Sequence, residues 1–206
     1  MASGDVLHSY ASPSGEPIGL AWSGRSLWNC DYSADRIYEL DPVTGAVLHS
    51  YASPSTYPVG LTWSGRSLWH CDYSADRIYE LDPVTGVVLH SYASPSGEPM
   101  GLAWSGRSLW NCDTSTKTIY HLDPVTGAVL HSYASPSTAP RGLTWSGRSL
   151  WNCDTSTKTI YHLDPVTGAV LHSYASPGTY PRGLAWSGRS LWNSDSAADR
   201  IYELEP

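Results

Sequence analysis

Four cysteines, Cys30, Cys71, Cys112 and Cys153, each stand directly before an aspartate, and a fifth occurrence of the same phrase carries Ser194 in the sulfur position. Four thiols could make two disulfides or a zinc centre held by four thiolates. The spacing argues against both. No CxxC pair is present, and 41 residues separate one cysteine from the next. Equivalent positions on different units are expected to lie too far apart for a disulfide, which needs Cα atoms within about 7 Å. Free thiols buried as small apolar groups are the expectation, and Ser194 agrees with it, because one unit manages without sulfur.

The other groups that could do chemistry recur in the same way. Histidine appears in "VLHSY" at His8, His49, His90, His131 and His172, with further copies at His70, His121 and His162, and carboxylates recur at Asp31, Asp72, Asp113, Asp154 and Asp195. Catalysis usually gathers unlike groups at one place, a base with its orienting partner and an oxyanion donor. A repeated set supplies like groups in a ring. The histidines are expected around a rim, and the aspartates are expected to accept backbone N–H bonds from the loop that follows them. No catalytic residue, metal ligand or cofactor is expected.

Ten tryptophans flank the phrase "SGRSL" in pairs, Trp22 with Trp28 and so on to Trp186 with Trp192. They could be aromatic platforms for sugar rings. Packing between units is the favoured role, because indoles are costly to expose and contribute large buried areas.

What repeats must also position these groups. The phrase "WSGRSLWNCD" belongs to a 41-residue unit that opens at Gly4, Gly45, Gly86, Gly127 and Gly168, and residues 86–126 match residues 127–167 at 36 of 41 positions. Such self-similarity means that each unit buries its apolar face against its neighbours. The 206 residues suit one domain spanning 1–206. The presence of 14 Tyr and 10 Trp with no Phe follows from multiplying one short unit. The formal charge is −7, and 12 Lys and Arg form no basic run, which argues against nucleic acid as a partner. No apolar run approaches the ~20 residues of a membrane span, and "MASGDVLHSY" lacks the regions of a signal peptide. A soluble, cytoplasmic-type protein without membrane contact is the expectation.

Turn signals cut each unit into four short segments, in the first unit "PIGLAW", "RSLWNCD", "DRIYELD" and "GAVLHSYAS", rich in the residues that favour strands. "SG", "DYSAD" and "DPVTG" join antiparallel neighbours, and the longer "ASPSGEP" suits a crossing to the next sheet. Four antiparallel strands in about 41 residues, repeated around an axis, describe an all-β, five-bladed β-propeller. The chain starts with the fourth segment type and stops after the third. Residues 5–10 are therefore predicted to supply the outer strand of the blade formed by 182–186, 190–195 and 200–204, closing the ring as a monomer.

The run "GLAWSGRSLWNCDYSADRIYELDPVTG" resembles the blade unit of short-repeat propellers of the NHL, YVTN, streptogramin-lyase and glutaminyl-cyclotransferase-like kind. The resemblance covers every unit and implies a blade, not a reaction, since these families include enzymes, ligand binders and interaction platforms. The near-identity of the units departs from most members and resembles either recent duplication or symmetric design. No unique His/Glu constellation is found onto which a lyase or cyclase site could be carried.

The units differ most at the expected channel mouth. The residue before "GL" runs Ile18, Val59, Met100, Arg141, Arg182, and the preceding loop brings Glu16, Tyr57, Glu98 and Tyr180. Arg141, Arg182, Glu16, Glu98, Tyr57 and Tyr180 are the expected ligand-binding positions, with a small molecule or glycan as partner; loop drift explains the same variation. Three functions remain: a non-enzymatic binding or scaffold module, a symmetric propeller with no selected ligand, and a lyase- or cyclase-type enzyme.

Overall fold

The computed structural model describes residues 4–206, which form strands joined by turns with no helix among them. In the first blade, β2 (Pro17–Trp22), β3 (Leu27–Asp31), β4 (Arg36–Leu40) and β5 (Val47–Ala52) pair in that order, all antiparallel. The same order recurs in β6 to β9 (residues 58–93), β10 to β13 (99–134) and β14 to β17 (140–175). The fifth blade joins β18 (Pro181–Trp186), β19 (Leu191–Asp195) and β20 (Arg200–Leu204) to β1 (Val6–Ala11), so the predicted closure is what the chain does. Tyr10 faces Ile201 across that seam just as Tyr51 faces Ile37 within the first blade.

The innermost strands β2, β6, β10, β14 and β18 pack side by side around the axis, each against the next and β18 against β2. They approach backbone to backbone. A Cβ placed on Gly101 would press into the Arg141 carbonyl oxygen and stand 2.6 Å from Leu143 N, so only glycine fits the throat of so small a ring. At the rim, Gly45 serves twice. Its φ of +73° is a left-handed turn geometry, and its bare Cα leaves room for the Tyr10 ring of the preceding blade.

The sequence pattern explains the burial. Leu27, Ile37 and Leu40 are fully buried in the first blade, as are their counterparts in the others, whereas the outer strands are largely exposed. Three residue types fasten one blade to the next. The histidines of four outer strands, His8, His49, His90 and His131, donate from Nε2 to a turn carbonyl of the following blade, as in His49 to Val84 O at 2.9 Å and His8 to Val43 O at 2.9 Å. This is the rim placement expected of them.

The cysteines are free and buried, but they are not merely apolar filler. Cys112 Sγ accepts the Gly101 N–H at 3.2 Å and donates to the Arg141 carbonyl of the next blade at 3.1 Å. Ser194 does the same at the seam, accepting from Gly183 N at 2.8 Å and donating to Ile18 O at 2.5 Å. A hydroxyl replaces a thiol here because it keeps both bonds. The tryptophans provide the third link. They pair across interfaces rather than across their own hairpin: Trp28 stacks on Trp63 with centroids 6.5 Å apart, and Trp22 on Trp192 at 6.3 Å.

Candidate functional site

Two ends of the ring present different chemistry. At one end lie the "SGRS" hairpins and "DPVT" turns. Between adjacent blades they leave a groove of about 340 Å³ lined by Arg25, Trp28, Glu39, His49, Trp63 and Val84. The next interface repeats it with Arg66, Trp69, Glu80, His90, Trp104 and Val125 in about 320 Å³. At the third, His121 replaces the glutamate and the groove measures about 430 Å³.

The exchange changes the groove's charge. Glu39 and Glu80 accept hydrogen bonds from Ser26 and Ser67 at 2.5 and 2.6 Å. His121 and His162 instead stack on Trp110 and Trp151 at 4.2 Å. Burial, and then the opposing His131 and His172, push their pKa values down. Five indoles from the inner strands, with Thr62 and Thr144, surround a cavity of about 100 Å³ on the axis at this end.

At the other end is the channel mouth, which gathers every position expected from the sequence to bind ligand. Its framework is the aspartate set. Asp31, Asp72, Asp113, Asp154 and Asp195 are fully buried. One oxygen of each serves the loop that follows, as expected: Asp113 Oδ1 accepts from Ser115 Oγ at 2.6 Å and Thr116 N at 2.9 Å. The other reaches back to the crossing loop. It accepts the N–H of Glu16 at 3.0 Å, Tyr57 at 2.9 Å, Glu98 at 2.8 Å, Ala139 at 2.8 Å and Tyr180 at 2.6 Å. Burial would raise the Asp113 pKa, but its hydrogen bonds from Ser115, Thr116 and Glu98 N override burial and hold it below the usual carboxylate value. This second oxygen is what sets the mouth residues in place, and it carries no local sequence signal.

On that framework Tyr57 lies between Tyr32 and Tyr73, with ring centroids at 4.0 and 4.9 Å. Tyr73 donates its hydroxyl to Glu98 at 3.1 Å, and that bond, followed by the carboxylate's charge, raises the Tyr73 pKa. Arg182 lies over the Tyr180 ring at 4.5 Å and donates from Nε to Ser196 at 3.0 Å. Arg141 donates from Nε to Thr155 at 3.3 Å and from Nη1 to the Met100 sulfur at 2.9 Å. Glu16 is exposed at the rim of the same mouth.

One buried group departs from the repeat. His70 occupies the place of Asn29, Asn111, Asn152 and Asn193, and like them it donates to a glycine carbonyl, Nδ1 to Gly60 O at 3.2 Å. Burial drives its pKa down against the pull of Asp72, so His70 is neutral and its 4.0 Å approach to Asp72 is not an ion pair.

A closed ring of four-stranded blades with a polar mouth at one end defines a five-bladed β-propeller. Its fold is similar to that of glutaminyl cyclase from Myxococcus xanthus, with a TM-score of 0.83 at 14% identity over 98% of this chain and 95% of that one. A streptogramin B lyase matches with a TM-score of 0.60 at 17% identity, over 97% and 86% of the two chains. The computationally designed Ika8 protein matches with a TM-score of 0.56 at 15% identity, over 92% and 58%. At these identities the likeness is one of fold. No family model matches the chain, and no curated protein matches it in sequence at a significant level.

Proposed function

We propose that the protein is a non-enzymatic, multivalent binding module whose ring presents a recurring shallow groove at its blade interfaces to a small molecule or glycan, acting as a monomer. The recurrence of the groove carries this reading: the same indole pair, histidine and turn valine line it at successive interfaces. Indole edges beside Glu39, His49 and Arg25 suit a sugar, which needs an apolar face and convergent polar groups.

The state of the titratable groups supports a non-catalytic reading. Burial pushes the Cys30 and Cys112 thiols up, away from the reactive thiolate. The buried aspartates accept backbone and side-chain hydrogen bonds that fix the loops.

A glycan-array screen followed by calorimetry tests the proposal. The expected result is several sites per chain in two affinity classes, the grooves bearing Glu39, Glu80 and, between Trp22 and Trp192, Glu203 separating from the groove bearing His121. Absence of binding to every glycan and peptide favours the second reading, a symmetric scaffold with no selected ligand, which the near-identity of the repeats supports. Turnover of a substrate by the purified protein would overturn both in favour of a lyase- or cyclase-type enzyme.

A further inference from the structure

Arg141 and Arg182 occupy the same position on adjacent inner strands, and the throat holds their backbones together: a Cβ on Gly142 would lie 2.6 Å from the Arg182 carbonyl oxygen. Both side chains are half-buried. Neither makes an ion pair among the described residues; their protein partners are the hydroxyls of Thr155 and Ser196, the Met100 thioether and the Tyr180 face. A thioether is a weak acceptor and a hydroxyl a neutral one, so two guanidinium forks reach the mouth with donors to spare. Burial, and then the charge of Arg141, depress the Arg182 pKa, which marks two like charges close enough to repel. Like charges held together in a partly dry mouth are relieved by an anion that bridges them.

The rest of the mouth limits what that anion can be attached to. The Tyr32, Tyr57 and Tyr73 rings, tilted against one another by 34° and 39°, and the Tyr180 ring supply apolar walls. Tyr57 and Tyr180 stand close enough to Arg182, and Arg141 close enough to Tyr73, for each pair to interact electrostatically.

We propose that Arg141 and Arg182 form a single oxyanion site in the channel mouth, taking a carboxylate or phosphate group carried on a flat aromatic body that lies against the tyrosines. The site is independent of the grooves and differs from them in stoichiometry, one per chain against several.

Calorimetry with benzoate and with phenyl phosphate tests it, comparing wild type with the double variant Arg141→Met, Arg182→Met and with Arg25→Met at the opposite end. Methionine is the natural residue at Met100, and a thermal melt of the double variant verifies folding. The expected result is one ligand per chain, weakened by added salt, with a loss of about tenfold or more in the double variant and none in Arg25→Met. The tighter of the two probes identifies the carrier of the charge. Binding of neither probe at millimolar concentration, equal affinity in wild type and the folded double variant, or several ligands per chain would each overturn the proposal.

Discussion

The two ends of the ring differ in how far the repeats agree with one another. At the groove end the indole pair, the hairpin and the turn are the same in every interface where the chain is continuous. At the mouth, the set Ile18, Val59, Met100, Arg141, Arg182 divides into three apolar residues and two arginines. The physical reason is contact. A groove-end residue fits between two blades, where the interior is close-packed and a change of one methylene is felt. At the head of each inner strand Ile18, Val59 and Met100 are buried in the core, whereas Arg141 and Arg182 at the same place are half-buried. Where the core does vary, the exchange keeps its hydrogen bonds: Ser194 retains both bonds of the cysteines, and His70 retains the asparagines' bond to a glycine carbonyl. The groove end varies at one position, Glu39 and Glu80 against His121 and His162, while the mouth keeps its aspartate framework five times over and varies in the side chains set on it.

Neighbouring residues give the sharpest way to break this contrast. Gly101→Val should cost about 3 kcal/mol or more, because its Cβ meets backbone that cannot yield, and should abolish folding outright if the ring does not open. Met100→Arg, one residue away, should cost less, because a flexible side chain can swing aside where backbone cannot, although it removes the sulfur that Arg141 contacts and sets a third guanidinium beside it. Equal effects of the two changes in a urea titration would remove the distinction between throat and mouth.

A smaller effect is expected at the seam. Ser194→Ala strands the Gly183 N–H and the Ile18 carbonyl and should cost about 2 kcal/mol, whereas Ser194→Cys should come within about 0.5 kcal/mol of wild type, because it restores the arrangement of the other four blades. If alanine and cysteine prove equally tolerated by denaturant titration, the bridging bonds do not hold the blades together.

The smallest effect concerns acid. The folded-state pKa of His70 lies below its unfolded value, so the unfolded chain takes up a proton first as pH falls. The stability of neutral His70 is therefore full above about pH 6.5 and is lost progressively as pH drops toward the folded value. His70→Asn, the residue of the other blades, removes this loss and should gain about 1–2 kcal/mol over wild type at pH 5 relative to pH 8. Parallel pH–stability curves for the two proteins would show that His70 is not the group responsible.

The strands were legible because Gly and Pro punctuate every unit: "PIGLAW" is β2 to the residue, and the segment types at the two chain ends announce the seam. The mouth was legible as a set of positions, since variation among otherwise identical units marks them. What the sequence concealed is the hydrogen bonding that joins one blade to the next. The cysteine-to-carbonyl bonds span 29 residues and the histidine-to-turn bonds 35. No local pattern states which neighbour a side chain will meet at such a distance: packing of the tryptophans between units was legible, but not that Trp28 would stack on Trp63 and Trp22 on Trp192. The aspartates' second oxygen was hidden for the same reason, its partner lying 15 residues upstream on another strand's approach.

The seam has a consequence for recognition between copies. β1, β5, β9, β13 and β17 all read VLHSYA, so the strand that closes the ring carries no address. β20 would accept the β1 of any other molecule in the same register and with the same hydrogen bonds. Self is distinguished from neighbour only by the tether, which keeps the chain's own strand at a high local concentration. The identity of a closed ring is thus held by connectivity and proximity, not by a code written in side chains.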